Sequence, residues 1–483
     1  MLDFLLVSSP SNMASKHMPY YFLYLAGYLK EKGFSCDIID YKDEDVYHGT
    51  DKFWKTIGER VRQKQARFCG LACYTPDYMV IKRLGEVIKK AQPNTTLLVG
   101  NAHATVRPTD FIYPNSPFDI IVRGEGEIVC ENLANGITGG REQQAERLLT
   151  GDEIATPAYE LIDLDWYLRP QKDIIRRLYT RSAYVFASRG CPWKCSFCST
   201  NVNRMSNTVR TRPARHLIKE MEFLIARGAE FFYIADDTFG IDKKWLVEWF
   251  TRKLVYLPDV PYAVQTRASN VTEKMVHDLK VTGCIQLEVG VESPVQRLLD
   301  RIKKQISLKD ITSTAEQCKR HKMRLFNCFM INLPGESIQD RRAILDFVKK
   351  SKPTASILSI CTPYPGTVLH KQYIEGSDFD KPSNYWKFKD SRTDEAFNMS
   401  IYNEGRDIGE IARYMERKMK IAPLFERMWA LRPYQPLYWK TVLQSPHRKA
   451  YIKCWCLDIR NTFLKWIIKR LRLDKTVKKY LWR

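Results

Sequence analysis

Short apolar runs alternate with amphipathic stretches along most of this chain, and the alternation reads as a succession of strands and helices. In the first third the apolar runs are Phe4 to Ser8, Cys36 to Asp40, Phe68 to Cys73, Thr96 to Gly100 and Asp119 to Val122. Helical spacing separates them, near Tyr21 to Lys32, Lys52 to Lys64, Asp77 to Gln92 and Glu127 to Asn135. Strands that alternate with helices imply right-handed crossovers and a parallel, doubly wound, Rossmann-like sheet over residues 1–140. Residues 141–182 open on the polar run Arg141-Glu142-Gln143-Gln144 and read as a linker that drapes over the domain after it. The alternation then resumes with Tyr184 to Ala187, Phe231 to Ala235, Tyr262 to Thr266, Ile285 to Val289, Phe326 to Ile331 and Ile357 to Cys361. Six such units predict a partial (β/α)6 barrel over 183–368, open on one side. Residues 369–483 carry no further motif and are expected to form a mainly helical, substrate-side cap. The fold class is therefore α/β with a helical C-terminal region.

At 483 residues the chain is long for a single core, and its 44% apolar content fits packed domains rather than disorder. No apolar run is long enough to span a bilayer. Met1-Leu2-Asp3-Phe4 lack the basic start of a secretory signal, and thirteen cysteines, an odd number, do not suggest a disulfide framework. The expected compartment is a reducing cytoplasm. The net charge of +22 is uneven, since residues 445–483 hold twelve Lys or Arg against Asp458 and Asp474. Trp455, Phe463, Trp466, Ile467, Ile468, Tyr480 and Trp482 interleave with them. Basic amphipathic character of this kind suits peripheral contact with the inner face of a membrane. The alternative is a helix packed on the barrel with a solvated basic face. No nucleic-acid-binding module accompanies the charge, so nucleic acid is not expected.

Chemistry concentrates where the strands end. In the run Ser188-Arg189-Gly190-Cys191-Pro192-Trp193-Lys194-Cys195-Ser196-Phe197-Cys198, three thiols follow an apolar strand on one loop. Three thiolates can hold three irons of a cubane and leave the fourth open to a ligand. Zinc, which normally takes paired CxxC-like sites, and buried structural cysteines are the competing readings. The strand ends of the first domain are small or polar: Ser8-Ser9-Pro10, Tyr74-Thr75-Pro76, Gly100-Asn101-Ala102-His103 and Gly124-Glu125-Gly126-Glu127. Glycine there lets a large planar ligand approach the backbone, and composition alone leaves nucleotide, flavin and corrinoid open.

The cysteine spacing, with Phe197 before the third cysteine, resembles the radical S-adenosylmethionine (SAM) enzymes. Phe232-Tyr233-Ile234-Ala235-Asp236-Asp237-Thr238-Phe239, Gly290-Val291-Glu292-Ser293, Met330-Ile331-Asn332-Leu333-Pro334-Gly335-Glu336-Ser337 and Pro363-Tyr364-Pro365-Gly366-Thr367 follow in family order. Met1 to Thr367 as a whole is similar to their cobalamin-binding branch.

That resemblance implies a [4Fe-4S] cluster on Cys191, Cys195 and Cys198, with SAM on the open iron. It places Phe197 beside the adenine, where the alternative is an aromatic that packs the loop. Asp236, Asp237 and Thr238 stand where the family holds the methionine amine, with an unusual tripeptide; a solvated acidic turn is the plainer reading. Glu292 and Ser293 match the ribose hydroxyl site. Arg267 would pair with a carboxylate of SAM or substrate, or form a structural ion pair, and Pro334-Gly335 would offer backbone to the adenine. For cobalamin the resemblance points to Ser9, Tyr74, Thr75, Pro76, Gly100, Asn101, Ala102, His103, Gly124, Glu125 and Gly126. The DxHxxG pattern that supplies an imidazole to cobalt is absent, and His103 reads as a loop histidine satisfied by backbone.

The implied activity is methyl transfer to an unactivated carbon, in which one SAM methylates cobalt and a second yields a 5'-deoxyadenosyl radical. No catalytic acid or base is assigned. A cobalamin-dependent radical cyclase is the alternative, and a non-catalytic redox sensor a remote one. The implied partners are a flavodoxin- or ferredoxin-type electron donor and a small-molecule or lipid substrate.

Overall fold

The computed structural model describes residues 1–9, 17–41, 50–172, 174–175, 178–388, 408–419 and 436–470. Its first sheet contains β1 (Leu2–Val7), β2 (Cys36–Ile39), β3 (Ala66–Ala72), β4 (Thr96–Gly100), β5 (Ile120–Arg123) and β6 (Glu142–Gln144). All are parallel, in the order β2-β1-β3-β4-β5-β6. The order reverses between β1 and β3, which opens a crevice at their carboxyl ends. Strand β6 corrects the sequence expectation: the polar run that read as linker adds an edge strand. An edge strand has one open face, so Glu142-Gln143-Gln144 stays wet while pairing with Ile121 to Arg123.

The second sheet contains β7 (Ser182–Val185), β10 (Phe231–Ile234), β11 (Tyr262–Thr266), β12 (Cys284–Glu292), β13 (Arg324–Ile331) and β14 (Ala355–Ile360), in simple sequential order and all parallel. Such strands are covered on both faces, hence the fully buried Phe231-Phe232-Tyr233-Ile234. A short antiparallel ribbon, β8 (Ser188–Arg189) with β9 (Arg210–Thr211), flanks the cysteine loop and was not expected from the sequence. The pairing register of β12 shifts between Gly290 and Glu292.

The segment after β6 packs on both units. A Cβ on Gly27, in the helix Tyr20–Glu31, would lie 2.0 Å from the Thr156 carbonyl oxygen, so only glycine lets the segment cross there. Ala158 donates its amide to the Leu23 carbonyl at 2.9 Å, and the Tyr159 hydroxyl donates to Glu220 at 2.7 Å. Beneath them Arg212 pairs with Glu220 at 2.6 Å, both sealed from solvent, and donates to the Tyr24 hydroxyl at 3.1 Å. One apolar cluster runs without a break from Tyr24 and Leu23 to Met221 and Leu224.

The C-terminal region divides. Residues 368–388 lie on the carboxyl side of the barrel, where Leu369 donates its amide to the Ser196 carbonyl at 3.1 Å. The helices Pro436–Gln444 and Arg448–Arg470 instead close the opposite end. Tyr438 packs its ring 5.6 Å from Phe231 at the start of β10. The Tyr451 hydroxyl donates to Glu230 at 2.5 Å and accepts from the Arg181 amide at 2.9 Å. The expectation of a purely substrate-side cap is corrected accordingly, because the apolar strand starts Phe231, Ala263 and Ile285 need cover at the amino end. Much of the basic aromatic run, from Phe463 onward, has side chains outside the described residues. Among the described residues no helix is long and apolar enough to cross a membrane.

Candidate active site at the carboxyl ends of the barrel strands

The loop that carries the three cysteines is held by two adjacent carboxylates. Asp236, 2% exposed at the end of β10, accepts the Ala187 and Ser188 amides on Oδ1 at 2.7 and 3.1 Å and the Ser188 hydroxyl on Oδ2 at 2.8 Å. Burial pushes its pKa up to about 6 against those hydrogen bonds. Asp237 accepts the Gly190 amide at 3.0 Å, the Thr200 hydroxyl at 3.4 Å and Arg204 Nε at 3.0 Å. Gly190 itself has φ of +100°, and a Cβ on it would lie 2.2 Å from the Thr208 carbonyl oxygen. The aspartates expected at the methionine amine are thus engaged in shaping the loop. Thr238 Oγ1 lies 3.5 Å from Cys191 Sγ.

All thirteen cysteines are free thiols, and Cys191, Cys195 and Cys198 are partly open to solvent on one loop. The donor set is sulfur alone, which fits iron-sulfur ligation. Among the described residues no group of three Cys, His, Asp or Glu side chains surrounds a single point. A cubane makes no such demand, since each thiolate takes its own iron.

Two cations frame this loop. Arg267, at the end of β11 and 5% exposed, stacks 4.5 Å over the Trp193 ring and aims Nη1 at Cys195 Sγ, 3.7 Å away. Its Nη2 is buried with no hydrogen-bond partner, which marks a place for an anionic group. Lys304 lies 2.6 Å from Glu292 Oε1, both nearly buried, and 5.7 Å from the centre of the Phe197 ring. Ser293 is buried beside Glu292 and its hydroxyl accepts the Val295 amide at 3.3 Å. The Pro334 and Gly335 carbonyls accept from Arg301 at 3.4 Å and Arg297 at 3.0 Å. Around the cysteine loop the structure therefore gathers Phe197, Asp236, Asp237, Thr238, Arg267 and, through Lys304, Glu292.

The first sheet presents its carboxyl edge to the same loop. Glu125 accepts Arg210 on both oxygens at 2.8 and 2.5 Å, Arg189 at 3.2 Å and Arg204 at 3.3 Å, and Glu127 takes Arg189 at 2.8 Å. Burial raises the Glu125 pKa, but the Arg210 hydrogen bonds and the three charges bring it down to about 2. Glu125, expected as a cobalamin contact, forms an ionic strut between the two sheets. Gly124, φ +71°, donates its amide to Thr105 Oγ1 at 3.0 Å.

His103 is fully buried within the helix Asn101–Val106, with Nδ1 3.1 Å from Thr75 Oγ1 and Nε2 3.2 Å from Asp110. Side-chain oxygens rather than backbone stand beside both ring nitrogens, and the residue lies in a short helix rather than in a loop. The Tyr385 hydroxyl donates to Asp110 at 2.8 Å, tying residues 382–388 to this sheet. Tyr74 stays 42% exposed, and Ser9 Oγ is buried with no hydrogen-bond partner among the described residues. Gly100, Asn101, Ala102, Pro76 and Gly126 lie on the same edge. An open aromatic and an orphaned buried hydroxyl fit a large ligand there.

The sequence reasoning passed over Lys304, Trp193, Arg189, Arg204 and Arg210. Arg301-Ile302-Lys303-Lys304 reads as a solvated basic run, and nothing local marks one lysine as turned inward.

Residues 185–348 match the radical SAM superfamily, and residues 11–134 match the B12 binding domain. The chain is a cobalamin-dependent radical SAM enzyme. Its families bring a [4Fe-4S] cluster, SAM and cobalamin as cofactors. An uncharacterized methyltransferase of Pyrococcus horikoshii is 25% identical over 398 residues, 77% of this chain and 83% of that protein. The anaerobic magnesium-protoporphyrin IX monomethyl ester cyclase of Cereibacter sphaeroides is 26% identical over 397 residues, 77% of this chain and 64% of the cyclase. Among solved structures, the radical SAM methyltransferase TsrM of Kitasatospora setae, with cobalamin and a [4Fe-4S] cluster bound, superposes with a TM-score of 0.61 at 17% identity. That match covers 80% of this chain and 82% of TsrM, and it shows a common fold.

Proposed function

We propose that this radical SAM enzyme methylates an unactivated carbon of its substrate in the space between the two sheets. The observation that carries the reading is the Glu125 strut, which fixes the first sheet's carboxyl edge against the cysteine loop. Methyl and radical chemistry then meet between the two carboxyl edges. When bound, the cofactors would supply a hydrogen-abstracting radical and a transferable methyl group.

The chain's own residues bind and orient. Cys191, Cys195 and Cys198 hold three irons, and Asp236 and Asp237 set the loop's shape. Arg267 offers its free Nη2 to the SAM carboxylate, Phe197 flanks the adenine and Glu292 with Ser293 meets the ribose. The Tyr74, Ser9 and Gly124 edge receives the corrin. Within the barrel the Tyr233 hydroxyl donates to Glu288 at 3.0 Å, with Gln265 Oε1 3.2 Å away as the alternative acceptor, a polar lining for a substrate with hydrogen-bonding groups. The electron comes from a flavodoxin- or ferredoxin-type donor.

Anoxic reconstitution with methyl-labelled SAM and extract from cells lacking the protein tests the reading. Label in a new product supports it. The cyclase relative favours a second reading, ring closure without methyl transfer, and an unlabelled cyclised product would establish that instead. The basic, aromatic end of the chain supports a substrate presented at an anionic membrane.

A further inference from the structure

Three non-glycine residues in the left-handed region surround one buried ion pair: Glu292 has φ of +61°, Lys303 +52° and Gln305 +54°. Each position costs conformational energy, and such costs persist where the surroundings impose them for a purpose. The strain turns Lys304 inward from an otherwise exposed basic run, so that its ammonium meets Glu292 Oε1 at 2.6 Å and faces the Phe197 ring at 5.7 Å. Gly290 leaves room for the pair, since a Cβ there would lie 2.6 Å from Glu292 Oε1 and 3.0 Å from Lys304 Nζ.

Phe197 lies between the cluster ligands Cys195 and Cys198 in sequence, so the ammonium that faces its ring stands beside the cluster loop. Arg267 approaches the Cys195 sulfur of that loop from β11 at 3.7 Å. A buried pair that only neutralised Glu292 would need neither the strain nor the nearness to the Phe197 ring of the cysteine loop, because apolar replacements of buried pairs are often as stable.

We infer that Lys304 is a positioning residue that sets the reduction potential of the cluster, its ammonium offsetting the negative charge the cluster gains when it takes one electron from a low-potential donor. The inference rests on the cluster assignment made above. With Lys304 and Glu292 both present, the pair is neutral as a whole. Removing the ammonium leaves a net negative charge beside the cluster loop and makes reduction harder. Removing the carboxylate leaves a net positive charge and makes it easier.

The test is a dithionite titration, followed by low-temperature electron paramagnetic resonance, of full-length protein reconstituted with iron and sulfide and without SAM or cobalamin. Compared with wild type, Lys304→Met and Lys304→Gln should each lower the ratio of reduced to oxidised cluster about tenfold at the wild-type midpoint. That is about 59 mV for a one-electron couple. Glu292→Gln should shift the midpoint the other way, and Lys304→Arg should stay near wild type. Loosened folding would move all neutral variants in the same direction, so same-sign shifts or no shift would overturn the inference while leaving the cluster assignment intact. Failure of the wild type to assemble any cluster would overturn both.

Discussion

Glu125 and Glu292 each stand beside glycine at the end of a parallel strand, one in each sheet, and both carried the same expectation of touching a cofactor. Their surroundings differ in charge count. Glu125 faces three guanidinium groups delivered by the other unit, whereas Glu292 faces one ammonium from its own loop. A carboxylate with three arginines has no capacity left for a ligand and becomes mechanical. One that shares a single ammonium keeps an oxygen to present. Position at a strand end therefore nominates a residue, but its neighbours' charges decide whether it binds or braces.

Thiols divide between the two edges in the same way, and the largest expected effect uses that. Cys191→Ser should abolish the anoxic brown chromophore and all turnover, while Cys73→Ser, a fully buried thiol at the end of β3, should leave iron content unchanged. Iron and sulfide analysis after reconstitution reads both. Next in size is the strut. Glu125→Ala strands three arginines at a buried site and should cost about 3–5 kcal/mol in urea unfolding of the apoprotein, with Glu292→Ala costing less.

Acid sharpens the contrast. Because the folded pKa of Glu125 is depressed, its contribution is complete above the ordinary carboxylate range and is lost as pH falls toward about 2. Wild type should consequently lose stability faster than Glu125→Gln on acidification below about pH 4.5. Asp236 should behave with the opposite sign. Its pKa is raised to about 6, so its contribution is present at low pH and fades as pH rises through 6. Asp236→Asn, which keeps an acceptor for the Ala187 and Ser188 amides, should cost under about 1 kcal/mol near pH 7, and Asp236→Ala about 2 kcal/mol. Smallest is the tail: a chain ending at Arg460 should fold and turn over a soluble substrate normally, yet float less with anionic liposomes than the full chain. Equal flotation would remove the membrane proposal.

Much of the barrel edge was legible because its chemistry requires rare residues at fixed spacing. Cys191, Cys195, Cys198 and Gly190 cannot be exchanged for common ones without losing ligands or a left-handed turn. The strands and their parallel arrangement followed from alternation, whereas strand order did not, and the wet edge strand β6 and the two-residue strands β8 and β9 escaped, being too polar or too short to carry a period. What sequence could not yield was the far end of long-range ion pairs. Arg204 and Arg210 reach Glu125 across 79 and 85 residues, and Lys304 looks like any surface lysine until the backbone turns it. A basic helix packed on the barrel was one of the two readings left open for the tail, but nothing in Tyr438 or Tyr451 names the strand starts they cover.

Those two tyrosines carry a consequence for traffic. With Tyr438 and Tyr451 set against the strand starts, the amino end of the barrel is stoppered among the described residues, and the polar and ionisable groups that could meet a visitor are left at the opposite rim.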